Sequence, residues 1–254
     1  MTRFGLIGFP LTHSFSSAYF ADKFLQEGLR DCRYDLFPLK SIQELPAIIE
    51  ANPNLRGLNV TVPYKVSIIP ALQQLDVTAE SVGAVNTVVI LRKENKIILK
   101  GYNTDVIGFE NSLVPLLNPG HKKALVLGTG GASKAVAYVL GKLGIPATFV
   151  SRKPYLASHI SYDELNRNVI ENNLLIIQTT PLGKFPDIKS YPQIPFEYLT
   201  ANHLLYDLNY NPEITRFMQL GAEHGTAVKN GLQMLHLQAD ASWEIWKQHL
   251  KERG

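Results

Sequence analysis

Short apolar runs alternate with helical periods along almost all of this 254-residue chain, and that alternation constrains the fold more than any other feature. In the first half the strand-like runs are FGLIG (4–8), YDLFPL (34–39), GLNVTV (57–62) and AVNTVVIL (84–91). Between them, SSAYFADKFLQEG (16–28) and SIQELPAIIEA (41–51) carry helical periodicity. VVILRKENKIILKG departs from the pattern, because two strands flanking KEN signal a hairpin. A helix is expected over 105–117, closed by NPG at 118–120. The alternation then restarts with KALVLG (123–128), a helix over 132–143, ATFVS (147–151), NLLIIQTT (173–180), HLLYDL (203–208) and a helix over 213–224. Strands separated by helices imply mostly parallel sheets with helices on both faces. The stretch 181–200, with four prolines and no period, is expected to be irregular.

A last helix is expected from about 231 to 253. Leu232, Leu235, Ala239, Trp243, Trp246 and Leu250 recur at spacings of three and four, an apolar stripe that makes both tryptophans core residues. Gly231 and Gln238 stand seven apart and share a face. This helix is expected to return across the N-terminal half, which would make the second domain an insertion joined by two linkers, with a hinge between them.

Composition narrows the class. At 45% hydrophobic and 19% charged, the chain is globular rather than disordered. The net charge is only +3 and no basic run stands out, so no nucleic-acid partner is expected. The opening MTRFGLIGFPLTHS is broken by Gly and Pro and makes a poor signal peptide, and no run of 18 apolar residues occurs. One cysteine, Cys32, suits a reducing compartment. A cytoplasmic protein without membrane partners is expected, as a monomer or homodimer. The histidines show no ligand spacing, so no metal is expected.

LVLGTGGASKAVAYVL (125–140) places Gly128, Gly130 and Gly131 where an apolar strand meets a helix. That is the context a dinucleotide phosphate requires: backbone without side chains, facing a helix N-terminus with free N–H groups. Ser133 stands at the third glycine position of the usual fingerprint and is small enough for close helix packing. A tight structural connection is the alternative reading. After the next strand there is no acidic residue for a ribose 2′-hydroxyl; Arg152 and Lys153 stand there instead, a pair suited to a 2′-phosphate. The cofactor expected is therefore NADP.

Four clusters of small polar residues fall at strand ends in the first half: HSFS (13–16), NVTVPYK (59–65), GAVNT (83–87) and GYNTD (101–105). Ligands of α/β sheets sit beyond the carboxyl ends of strands, so Ser14, Ser16, Thr61, Asn86 and Asp105 would meet on one rim. With Lys65 they suit a polyhydroxylated, anionic small molecule. Taken singly, each serine or aspartate reads equally well as a helix cap.

At these residues the sequence resembles the shikimate dehydrogenase family. The four clusters match that family's substrate signatures in order, and GTGGAS (128–133) matches its NADP loop. TTPLG (179–183), YDLNYNP (206–212) and NGLQMLHLQA (230–239) match its C-terminal signatures. The resemblance runs from about residue 5 to 240. It implies an α/β fold: an N-terminal α/β substrate domain (1–104), a Rossmann-like doubly wound parallel sheet (105–230) and a C-terminal helix (231–254) packing back on the first domain. It implies that Ser14, Ser16, Thr61, Asn86, Asp105, Tyr210 and Gln238 hold shikimate, with Lys65 and Asp105 as catalytic pair. It also implies that Gly128, Thr129, Gly130, Gly131 and Ala132, Ser151, Arg152 and Lys153, Leu208 and Gly231 line the NADP site. The activity implied is reversible NADPH-dependent reduction of 3-dehydroshikimate to shikimate, in chorismate and aromatic amino acid biosynthesis. Ser151 replaces an Asn usual before the Arg, Gln178 replaces an Asn before the double Thr, and the 153–175 region is trimmed.

That reduction requires a proton for the developing alkoxide, hence an acid–base group within hydrogen-bond reach. Lys65, just after Pro63 at the start of a short helix, is the candidate. A partly desolvated cleft lowers a lysine's pKa, and the Asp105 carboxylate opposes that, so proton donation in reduction is the easier half. His13, in a loop, ranks below it. A quinate/shikimate dehydrogenase of broader specificity and a non-catalytic NADP-binding sensor remain alternatives at this point.

Overall fold

The computed structural model describes residues 1–11, 15–93, 96–154, 156 and 158–251. His13, Ser14 and the 94–95 tip of the KEN hairpin lie outside the described residues. In chain order, β1 is Thr2–Gly8, α1 Phe15–Gln26, β2 Cys32–Pro38, α2 Leu45–Ala51, β3 Leu55–Val60, α3 Tyr64–Ser67, β4 Gln74–Leu75 and α4 Val77–Val82. The hairpin strands follow as β5, Thr87–Lys93, and β6, Lys96–Tyr102. Then come α5 Asp105–Leu113, β7 Ala124–Leu127, α6 Gly131–Lys142, β8 Ala147–Val150, β9 His159–Ile160 and α7 Arg167–Asn172. β10 is Leu175–Gln178, β11 Leu204–Asp207, α8 Arg216–Glu223, β12 Ala227–Asn230 and α9 Leu232–Lys251.

The chain divides into two compact units, Met1–Thr104 with Ala239–Gly254, and Asp105–Gln238. α9 is thus shared: its first turns count with the second unit and the rest with the first.

The first unit is built on a mixed sheet of order β2-β1-β3-β5-β6-β4. β1 runs parallel to β2 and β3, and β5 antiparallel to both β3 and β6. Alternate residues of β5 serve two cores: Val88 joins Ile7, Leu58, Val60 and Ile68 on one face, while Val89 joins Phe4, Phe20, Trp243 and Trp246 on the other. Both faces are covered, which is why these strands read as continuous apolar runs. Trp246 stacks on Phe4 at 4.7 Å and donates its indole N–H to Val88 O at 3.0 Å. Only glycine at 57 allows this, because a Cβ there would lie 2.2 Å from Trp246 Nε1. Truncating such a buried indole costs about 3–5 kcal/mol.

The second unit holds a sheet, parallel throughout among the described residues, of order β12-β11-β10-β7-β8-β9. Its central strands ALVL, LIIQ and LLYD are buried at every position. The order reverses between β7 and β10, so the crevice at their carboxyl ends is the topological switch point, where open α/β sheets bind ligands.

Periodicity missed the shortest elements. α4 owes its existence to ends rather than a stripe: Asp76 accepts from the N–H groups of Thr78 and Ala79 at 3.2 and 2.9 Å, and Gly83 closes it at φ +64°. Pro63 is the cap before α3 rather than a residue of its first turn. The stretch 181–200 holds one short 3-10 turn, Phe196–Tyr198, and is otherwise irregular. No helix among the described residues is long and apolar enough to cross a membrane.

Candidate active site

The rim of the first unit is made of side chains locked to one another. Thr61 leaves β3 with its N–H donated to Ile7 O at 2.9 Å, and its carbonyl accepts from Tyr64 N–H at 2.9 Å. That turn starts α3 and sets Lys65, whose own carbonyl accepts from Val85 N–H at 2.7 Å. Lys65 is thereby tied to the segment just before β5, which carries Asn86 one residue on. The Lys65 side chain is half-buried, whereas Asn86 is buried.

Asn86 has its carboxamide oriented by backbone. Thr104 N–H donates to Asn86 Oδ1 at 2.7 Å, which identifies that atom as oxygen, and Asn86 Nδ2 donates to Thr104 Oγ1 at 2.9 Å. A buried network supports the pair from below. Asn59 Nδ2 donates to Ser242 Oγ at 3.0 Å, and the Ser242 hydroxyl meets Thr87 Oγ1 at 2.7 Å and Thr104 Oγ1 at 3.1 Å. Tyr34 donates its hydroxyl to Asn59 Oδ1 at 2.8 Å and is hydrogen-bonded to Ser16 at the start of α1. Burial pushes the Tyr34 phenol upward, so it stays a neutral donor. Thus Ser16, Asn86 and the Thr104 hydroxyl belong to one connected set.

Sequence reasoning passed over five members. Asn59, Thr87 and Thr104 sit inside the quoted polar clusters and were available as signals. Ser242 lies four residues after Gln238 on α9, but a small residue within an apolar stripe reads as filler. Tyr34 reads as an ordinary strand aromatic.

The rim of the second unit is mostly backbone. Gly128 leaves β7 at φ +106°, a conformation that side-chain-bearing residues rarely adopt. Gly130 caps α6, and a Cβ there would meet nothing within 4 Å, leaving open space before the helix N-terminus. Ser133 explains the departure from a third glycine: it is buried and its hydroxyl donates to Gly130 O at 2.6 Å, fastening the turn to the helix. Thr129 lies between Gly128 and Gly130 in the turn, and Gly131 and Ala132 are the first two residues of α6. Arg152 and Lys153 follow β8 and are exposed, with the Lys153 N–H donated to Ser151 Oγ at 3.3 Å. Such a cradle, with a positive helix end and two cations beyond the neighbouring strand, fits the diphosphate and 2′-phosphate of NADP.

On the other side of the switch point, Leu208 and Gly231 touch: a Cβ on Gly231 would lie 2.1 Å from Leu208 O. Asp207 anchors this corner. Its carboxylate accepts from Thr215 Oγ1 at 2.7 Å and from Asn209 N–H at 2.9 Å, and burial pushes its pKa up to about 6. Tyr210 follows, half-buried, its phenol also raised by burial. Asp105, buried, opens α5. One turn later a Cβ on Gly108 would lie 2.6 Å from Met234 O and 3.0 Å from Gln238 Cβ, so the helices carrying Asp105 and Gln238 are in close contact. Among the described residues, no group of three or more His, Cys, Asp or Glu is arranged to hold a metal ion.

The family model of the shikimate dehydrogenase substrate binding domain matches residues 6–88. The NADP(+) shikimate dehydrogenase of Desulforamulus reducens is 36% identical over 267 residues, covering 95% of this chain and 88% of the relative. The crystal structure of shikimate dehydrogenase 1 from Peptoclostridium difficile, 35% identical, matches with a TM-score of 0.84 over 98% of this chain and 92% of that one. Shikimate 5-dehydrogenase from Thermus thermophilus, solved in complex with NADP(H) and shikimate, is 31% identical with a TM-score of 0.83 over 97% and 93%.

Proposed function

This chain belongs to the shikimate dehydrogenase family, and from that premise we propose that it reversibly reduces 3-dehydroshikimate to shikimate with NADPH, as an oxidoreductase acting on a CH–OH group. The observation that carries the reading is the glycine turn at the head of α6 in the second unit, with Arg152 and Lys153 after the next strand; in the first unit the Lys65 backbone is bonded to the segment that holds the oriented Asn86 carboxamide.

Bound NADP supplies hydride exchange at the 3-carbon. The rest is done by the chain. Lys65, as ammonium, donates the proton that the developing alkoxide needs, and as amine removes it in the reverse direction. Asp105 completes the pair as the carboxylate that orients a substrate hydroxyl. Ser14, Ser16, Thr61, Asn86, Tyr210 and Gln238 hold the remaining hydroxyls and the carboxylate of shikimate. The backbone from Gly128 to Ala132 approaches the diphosphate, and Arg152 with Ser151 and Lys153 receives the adenosine 2′-phosphate. Leu208 and Gly231 complete the lining of the NADP site. The same reading makes the protein cytoplasmic, a monomer or homodimer, with small-molecule partners and neither nucleic acid nor membrane.

The test is to mix the purified protein with shikimate and either NADP⁺ or NAD⁺ and to follow the absorbance of reduced nicotinamide. Turnover with shikimate and NADP⁺ is expected, and it should exceed turnover with NAD⁺. A folded protein that turns over neither pair, or that oxidises quinate in preference to shikimate, would overturn the assignment.

A further inference from the structure

Gln178 ends β10 in register with Leu127, the last residue of β7, so the loops that follow these strands stand side by side at the switch point. One is the glycine turn and the other is the loop 179–183. They touch: a Cβ on Gly128 would lie 2.8 Å from both Thr179 Oγ1 and Thr180 Cγ2. Thr179 is also fastened to β7, its N–H and its hydroxyl both donating to Leu127 O, at 2.9 and 2.8 Å.

Two side-chain amides hold this loop from behind. Gln178, fully buried, accepts at Oε1 from Thr180 N–H at 2.9 Å and donates from Nε2 to Leu182 O at 3.2 Å. Asn209, buried in the loop after β11, donates from Nδ2 to Thr180 O at 3.2 Å and to Leu182 O at 3.0 Å. These partners are backbone groups of fixed polarity, so each carboxamide has a single admissible orientation, and both N–H bonds of Asn209 are committed. Asn209 is itself held at both backbone ends. Its N–H donates to Asp207 Oδ1 at 2.9 Å and its carbonyl accepts from Gly231 N–H at 3.0 Å.

We infer that the Gln178–Asn209 amide pair is a positioning device of the cofactor site: it fixes the loop 179–183 against Gly128 and thereby sets the shape of the glycine turn. This rests on the reading of that turn as the NADP site. Neither amide is a catalytic residue; both act through the backbone they hold. The pair also explains the Gln at 178. The longer side chain reaches Leu182 O, the same carbonyl that Asn209 binds from the opposite loop.

Asn209→Asp is the decisive variant, because it keeps the shape and sets a carboxylate against two carbonyl oxygens. At pH 8, calorimetric titration should show the NADP⁺ dissociation constant raised about tenfold or more while that of shikimate stays within about twofold. In turnover, KM for NADP⁺ should rise with kcat at saturation held within about threefold. Asn209→Ser, which removes the donors without adding charge, should show a smaller rise and serves in its place should the aspartate variant not fold. A role confined to stability would instead lower the urea unfolding midpoint and leave NADP⁺ affinity of the folded variant unchanged, and that result would overturn the inference. Wild-type protein that fails to bind NADP⁺ would overturn the cofactor reading, and the inference with it.

Discussion

The rims of the two sheets do the same kind of work with different parts of the chain. In the first unit the groups presented are side chains, and a connected set of hydroxyls and amides beneath them fixes their direction; Asn86 is held by Thr104, which meets Ser242, which meets Asn59 and through it Tyr34. In the second unit the glycine turn presents backbone, with Ser133 and Asp207 bound to turns and the Arg152 and Lys153 side chains exposed after the next strand. A substrate that differs from its analogues by single hydroxyls must be read by side chains of definite polarity, because an unpaired buried partner is what rejects the wrong molecule. A diphosphate needs only N–H groups and close approach.

If that division is right, its largest consequence falls on Lys65. Lys65→Ala should lower kcat about a thousandfold, within the range known for a positioned acid–base group, while leaving the dissociation constant of NADP⁺ unchanged. Steady-state kinetics beside a calorimetric titration would settle it; parallel losses in both would erase the distinction between the rims.

The next effect is on stability and belongs to Asp207 alone. Burial raises its pKa from 3.8 to about 6. The folded state therefore binds this proton more tightly than the unfolded one. The associated stability is fully present below pH 3.8 and is lost as pH rises through about 6, a change of about 3 kcal/mol. Asp207→Asn does not titrate, so its stability relative to wild type should rise between pH 4 and 7 and level off above. Urea unfolding at three pH values would show this, and parallel curves would refute it.

Gly130→Ala sharpens the contrast further. Its Cβ would meet nothing within 4 Å, so the free protein should unfold at the same urea concentration as wild type. The methyl group would nevertheless occupy the diphosphate's approach, raising the NADP⁺ dissociation constant about tenfold or more. Arg152→Ala should weaken NADP⁺ by about tenfold and NAD⁺ hardly at all, as measured by the ratio of their KM values. Smallest is Ser242→Ala, which removes a hydroxyl from the network under Asn86 and should cost about 1 kcal/mol of stability, with a few-fold rise in KM for shikimate and none for NADP⁺.

This division also explains what the sequence made legible. Buried parallel strands such as LIIQ and LLYD declare themselves as apolar runs, and the strand–glycine–helix unit is local, so both are readable without a structure. α4, β4 and β12 are two to six residues long, too short to fill a period, and depend on caps and on pairing with strands distant in sequence. The polar clusters point to candidate residues at strand ends, but not to what orients them. Ser242 joins Asn59, Thr87 and Thr104 only because α9 packs on β3 and β5, and nothing near Ser242 in sequence announces it. Gly57 is the same case in reverse, its need for glycine set by Trp246.

The most direct test of the account is an amide-resolved nuclear magnetic resonance titration of the protein with shikimate and, separately, with NADP⁺. The account predicts that shikimate most strongly moves the side-chain amide of Asn86 and signals around Thr61 and Lys65, while NADP⁺ most strongly moves the backbone amides of 128–132 and 179–183. Shikimate acting chiefly on the glycine turn, or NADP⁺ leaving that turn untouched, would contradict it.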